Sequence, residues 1–150
     1  MSSTAQPSAP QAPPSIEPVR VLLVDDQPGV RQAAAALVEH TAGFELVGQS
    51  GDGESALRLA DRLNPDMVLL DVRMPGMDGF DTARRLDSAG TRRVVVLVTG
   101  TDVRELAPLA RSSRVAALVH KHWLNSRLLR GLWIVHRPPR RRERYRPAPA

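Results

Sequence analysis

The sequence predicts one α/β domain built on an open, doubly wound parallel sheet. Five short apolar runs carry the prediction: Val19–Val24, Phe44–Val47, Met67–Leu70, Val94–Val98 and Val115–Val119. They are rich in valine and leucine and, apart from Arg20 and Glu45, nearly continuous, as parallel strands covered on both faces require. Segments of helical spacing separate them, and right-handed crossovers then set helices on both faces. At 150 residues the chain has room for one such domain and is short for two. A core of this size buries roughly two thirds of the unfolded surface, enough to stand alone.

Met1–Pro18 is mostly Ser, Ala, Gln and Pro. It cannot bury enough apolar surface to offset ordering and is expected to be disordered. It has neither the basic start nor the apolar stretch of a secretory signal. The first helical segment places Val30, Ala33, Ala34, Leu37 and Val38 inward, and the second Ala56, Leu57, Ala60 and Leu63. The third runs from about Phe80 to Leu86, with Ala83 and Leu86 inward. The fourth, about Val103 to Ser112, contains Pro108; an interior proline costs about 3 kcal/mol, so this helix is expected to be short, kinked or late-starting. The last carries Leu124, Leu128, Leu132 and Val135. From Arg137 onward, RPPRRRERYRPAPA has no periodicity and too many prolines to fold. The expected division is therefore a disordered segment over 1–18, a domain over 19–136 and a disordered tail over 137–150.

Charge is unevenly placed. The chain has 21 basic and 16 acidic residues, a net +5. Six arginines and only Glu143 lie from Arg137 onward, which leaves 15 of each sign before them. A nucleic-acid or anionic-lipid role would have to rest on the tail and would be weak, non-specific and salt-dependent. There is no cysteine, hence no disulfide framework and no thiolate chemistry, which suits a cytoplasmic protein. Every apolar run is well short of the ~18 residues that span a bilayer.

The runs end in reactive residues. Asp25-Asp26 follow the first, Asp71 the third, Thr99-Gly100 the fourth and His120-Lys121 the fifth. In an open parallel sheet all these exits share one rim, where ligands collect. Clustered carboxylates repel one another unless a cation sits among them. Oxygen donors without cysteine favour a hard ion such as Mg²⁺, which takes one or two carboxylates and completes its shell with water and phosphate oxygens. Lys121 would neutralise a phosphoryl oxygen and Thr99 would hydrogen-bond another, and positioning with charge stabilisation is nearly all that phosphoryl transfer asks of a protein. Taken singly these residues are ordinary: Asp25-Asp26 could cap a helix, Thr99 could serve a turn, and Lys121 could be a surface lysine. Their joint arrival at four strand ends is what points to chemistry. Asp78 is read as a cap for the third helix. Gly76 and Gly79 are read as loop residues needing positive φ. His120 and His122 are read as the end of a strand without a third metal ligand nearby, and Trp123 and Trp133 as packing at the last helix.

The set VLLVDD, LLDVRMPGMDG, VVVLVTG and the lone Lys121 resembles the receiver domain of bacterial two-component response regulators, over roughly Val19 to His136. The wording LLDVRMPGMDGFDTARRL is most like receivers of the LuxR type, which usually carry a helix-turn-helix output domain; the 14 residues after His136 cannot form one. The resemblance implies a flavodoxin-like fold of strand order 2-1-3-4-5. It implies that Asp71 accepts a phosphoryl group from a histidine kinase or phosphotransfer protein. Asp26, Asp71 and the backbone carbonyl of Arg73 would hold Mg²⁺, Asp25 would contribute through water, and Thr99 and Lys121 would contact the phosphoryl group. The downstream effector is unspecified, and a homodimer is left open. The domain would be a phosphorylation switch and not a metabolic enzyme.

Three positions depart from the family pattern, all toward the output side. Leu118 stands where receivers usually carry Tyr or Phe, His122 follows the lysine, and Pro108 lies in the fourth helix. An aspartyl-phosphate phosphatase or phosphotransferase of the haloacid-dehalogenase type is the alternative, as is a nucleic-acid-associated regulator acting through the tail. The first would need an acid two residues after the nucleophile, where this chain has Arg73.

Overall fold

The computed structural model describes residues 17–89 and 92–139. The two segments expected to be disordered lie outside them, save Glu17–Pro18 and Arg137–Pro139, which are in neither helix nor strand. The elements are β1 (Val19–Val24), α1 (Pro28–Glu39), β2 (Phe44–Ser50), α2 (Gly53–Leu63), β3 (Met67–Asp71), α3 (Gly79–Ser88), β4 (Val94–Thr99), α4 (Val103–Ser112), β5 (Ala117–His120) and α5 (Ser126–His136). A single 3-10 turn, Lys121–Trp123, separates β5 from α5. All strands are parallel, in the order β2-β1-β3-β4-β5. This is the five-stranded α/β fold and the strand order expected. No helix of the described residues is long and apolar enough to cross a membrane.

Strand residues alternate between two cores, as a period of two dictates. Leu22, Val24, Val68, Leu70, Val95 and Leu97 meet Ala56, Ala60, Phe80, Ala83 and Leu86 of α2 and α3. Val21, Leu23, Met67, Leu69, Val96 and Val98 meet Ala35 and Val38 of α1 and Leu129 and Leu132 of α5. β3, like β4, is buried at every position, so its last residue, Asp71, is carried to the rim on a fully enclosed strand. Arg20, which interrupts the first apolar run, donates through Nη1 to the carbonyls of Leu63 (2.6 Å) and Asn64 (3.0 Å). It thereby satisfies carbonyls at the end of α2, where Asn64 turns the chain at φ 48°.

Several expectations are corrected. α4 runs unbroken through Pro108. The amide that proline lacks would have met the carbonyl of Arg104, and both residues are exposed, so water can serve that carbonyl. β5 starts at Ala117 rather than Val115; the residues before it belong to the connection from α4, where Arg114 has φ 53°. Val135 is 74% exposed. It lies in the last turn of α5, whereas Leu124, Leu128 and Leu132 pack against the α1–α5 core as expected, with Leu129 fully buried beside them. Trp133 is half-buried, as expected, whereas Trp123 is 73% exposed. In α1, Ala35 is buried and Ala33 is exposed, the reverse of the reading from spacing.

Candidate functional site

β1 ends one residue before Asp25, whose amide donates to the Ser50 carbonyl at 3.0 Å and so continues the sheet pairing. Asp25 Oδ1 accepts the Gln27 amide at 2.9 Å, and its backbone carbonyl accepts from Arg31 Nη1 at 2.7 Å. Gln27 is the N-cap of α1, makes no side-chain cap, and is followed by Pro28, which has no amide to satisfy. Neither Asp25 nor Asp26 therefore caps the helix. Asp78 does cap α3, accepting the Asp81 amide at 2.9 Å.

Asp71 sits beside Val98 in the β3–β4 register, and the Val72 amide carries that pairing one step further, to the Val98 carbonyl at 3.1 Å. Gly76 turns the following loop at φ 77°. Gly79 has no positive φ, contrary to the expectation. It is a glycine because the start of α3 lies directly on the backbone of Asp71 and Val72, with no room for a side chain.

Asp25, Asp26 and Asp71 each bring a carboxylate oxygen within 4.8 Å of the other two. Lys121 Nζ lies 3.4 Å from Asp25 Oδ2 and 3.8 Å from Asp71 Oδ1. Asp25 and Asp71 are buried and Asp26 is half-buried. Burial, followed by the charge of Asp25, pushes the Asp71 carboxyl up from 3.8 to about 6, against the pull of Lys121 and the Arg73 amide. Four of the predicted residues thus converge. Arg73 is exposed, two positions beyond Asp71, with its amide directed at that carboxyl.

Thr99 is buried at the end of β4, opposite His120. Its hydroxyl oxygen accepts the Thr101 amide at 3.0 Å and lies 2.9 Å from the Thr101 hydroxyl. Either hydroxyl can donate in this pair; when Thr101 donates, both lone pairs of Thr99 are occupied and its own proton is free. His120 also has a structural task, since its Nδ1 accepts the His122 amide at 3.1 Å and caps the turn that holds Lys121. The two imidazoles stack at 4.9 Å. The grouping of potential metal ligands found among the described residues is the aspartate trio, which excludes both histidines.

Thr101, Arg31 and the capping role of His120 were missed from sequence. The i→i+2 hydroxyl turn is a known habit of threonine and was available in Thr99-Gly100-Thr101. Nothing in the sequence announces that Arg31 reaches back to Asp25.

The family model of the response regulator receiver domain matches residues 21–132. The chain belongs to this family. The nitrate/nitrite response regulator protein NarP of Escherichia coli is 40% identical over 89 residues, which cover 59% of this chain and 41% of that protein. Protein-glutamate methylesterase/protein-glutamine glutaminase 5 of Myxococcus xanthus is 38% identical over 107 residues, 71% of this chain and 31% of that protein. Among solved structures, the DNA-binding response regulator of the LuxR family from Staphylococcus aureus aligns at a TM-score of 0.72 and 26% identity, covering 79% of this chain and 98% of that one. The receiver spans less than two thirds of these two sequence relatives' length, so the matched region is one part of each.

Proposed function

We propose that this receiver accepts a phosphoryl group on Asp71 from a histidine kinase or phosphotransfer protein, with Mg²⁺ as cofactor, and changes conformation in response. The observation that carries the reading is the convergence of three carboxylates and one ammonium at a single rim. An Asp71 carboxylate oxygen attacks phosphorus, the phosphorus–nitrogen bond of the phosphohistidine breaks, and the released imidazole nitrogen takes up a proton. The product is an acyl phosphate. With its midpoint near 6, Asp71 is mostly ionised at neutral pH and so available as a nucleophile. Oxygen donors at this separation suit a hard cation: Asp26, Asp71 and the Arg73 carbonyl would hold it, Asp25 through water. A bound ion supplies positive charge that offsets the carboxylates and the phosphoryl oxygens. Lys121, now shared between Asp25 and Asp71, turns to a phosphoryl oxygen, and the hydroxyl proton of Thr99 goes to another. Leu118, packed against the α2–α3 core, has neither the ring nor the polar tip that would couple this movement to the surface in the usual way. Arg73 two residues after Asp71 argues against the phosphatase alternative, because a guanidinium does not serve as an acid.

Incubation with acetyl phosphate and Mg²⁺, followed by intact mass, tests the assignment. One phosphoryl adduct is expected on the native protein and none on Asp71→Ala. No adduct at all, or an adduct that survives the substitution, overturns the reading.

Gly100 bears on how long the adduct lasts. A Cβ there would have Lys121 Cδ, 3.9 Å away, as its nearest neighbour, so a larger side chain fits over the rim. Gly100→Leu is expected to lengthen the phosphoryl lifetime several-fold by keeping water from phosphorus. An unchanged decay of the adduct would sink this expectation.

A further inference from the structure

The charge that sums to zero over the folded body is separated in space. Residues 106–136 carry Arg111, Arg114, Lys121, Arg127 and Arg130 and no acid, and the next acid is Glu143. Taking the eleven basic residues and one acid of 106–150 from the totals of 21 and 16 leaves ten basic and fifteen acidic residues for 1–105. The positive part is one edge of the molecule. β5 pairs only with β4, and α4 and α5 flank it from the two cores. Arg111, Arg114, Arg127, Arg130 and Arg137 are all exposed, and among the described residues only Arg114 faces an acid, Asp87 at 3.9 Å.

Large apolar side chains are exposed in the same stretch of chain. Trp123 is 73% exposed, Ile134 63% and Val135 74%. On α5, Arg127, Arg130 and Ile134 are spaced by three and four and share a face. The chain then continues in sequence through Arg137 and Arg140 to Arg146.

We propose that this edge docks on an anionic lipid bilayer. A second copy is a poor occupant, because a twofold interface sets the same patch against itself and would oppose arginine to arginine with no acid to pair. Nucleic acid would answer the arginines but offers nothing to Ile134 and Val135, which neither stack nor hydrogen-bond. A bilayer satisfies both sets: its phosphate headgroups meet the guanidinium groups, and its acyl boundary takes the aliphatic side chains. Tryptophan is suited to the same depth. A basic cluster joined to an apolar insertion is the pairing of two signals that stable membrane attachment requires. The inference does not depend on the chemistry at Asp71.

Full-length protein mixed with vesicles of phosphatidylcholine, with and without phosphatidylglycerol, tests this by sedimentation and tryptophan emission. Trp123 and Trp133 are the only tryptophans, so the signal is local to the edge. Binding is expected only to the anionic vesicles, weakening with added salt, with emission shifted to the blue. Arg127→Gln with Arg130→Gln should weaken partitioning about twenty-five-fold, at about fivefold per arginine. Ile134→Ser with Val135→Ser, both at exposed positions, should abolish the blue shift of bound protein and weaken partitioning while leaving the circular dichroism unchanged. Equal binding to neutral vesicles, no binding to anionic ones, or capture by an oligonucleotide alone overturns the proposal. So does binding indifferent to the Ile134 and Val135 pair, which would reduce it to adsorption of the tail.

Discussion

Asp71→Asn is expected to stabilise the metal-free protein by about 3 kcal/mol above pH 7, and to leave stability nearly unchanged near pH 4. The carboxyl is buried, with Asp25 beside it, and its midpoint lies at about 6 instead of 3.8. The folded chain therefore holds this proton more tightly than the unfolded chain. Below 3.8 the group is neutral in both states and costs nothing. As pH rises toward 6 the unfolded chain releases the proton first, stability is lost, and above about 7 the loss is complete. About 1.4 kcal/mol per tenfold change gives the figure of about 3 kcal/mol, or roughly 10 °C in Tm for a domain of this size. Lys121 does not reverse the sign, because at 3.8 Å it is further from Asp71 than from Asp25, at 3.4 Å, and burial dominates. Urea midpoints of the two proteins between pH 4 and 8 should diverge through the interval from 4 to 7. Parallel profiles, or a less stable Asn variant at pH 8, would contradict the electrostatic account. Mg²⁺ should narrow the gap at pH 8, since a cation among the carboxylates removes the repulsion that the substitution removes.

Strand order and rim were legible in the sequence because they follow from coarse properties. Five apolar runs fix five strands, buried in β1, β3 and β4 and half-buried at the edges β2 and β5, and Asp25, Asp71, Thr99 and Lys121 stand where those runs stop. Helix faces were less legible. In α1 the run Ala33–Ala36 has nearly the same hydrophobicity at every phase, so Ala35 and Ala33 were exchanged. In α5 the inward face of Leu124, Leu128 and Leu132 holds, but Val135 lies in the last turn of the helix and is exposed. Hydrogen bonds that reach backward across a loop were not legible at all, Arg31 to the Asp25 carbonyl being the clearest case. Neither was the separation of charge, because a balance counted along the chain says nothing of which edge each charge occupies.

Gly79→Ala is expected to cost about 1–3 kcal/mol and to slow phosphorylation of Asp71, although alanine is the better helix former. The backbone of Gly79 is not in the left-handed region, so no conformational strain is at issue. The obstacle is contact. An added Cβ would overlap the Asp71 carbonyl oxygen and stand 2.8 Å from Val72 Cα, and both are backbone atoms of the strand end that carries the acceptor. Neither can swing aside as a flexible side chain would, so α3 must retreat from β3. That retreat pulls on the Gly79 amide, which donates to the Val72 carbonyl at 2.9 Å, while the Asp78 cap holds the first turn of the helix in place. The strain falls on the loop from Asp71 to Asp78, where the Arg73 amide meets the acceptor carboxyl. Gly100→Ala is the control on the same rim: its Cβ would have nothing nearer than 3.9 Å and should leave stability within about 0.5 kcal/mol. Urea unfolding of the two variants separates contact from a general effect of replacing glycine near the site. Equal stabilities would mean that α3 can slide without cost, and that the close approach of Gly79 does not position Asp71.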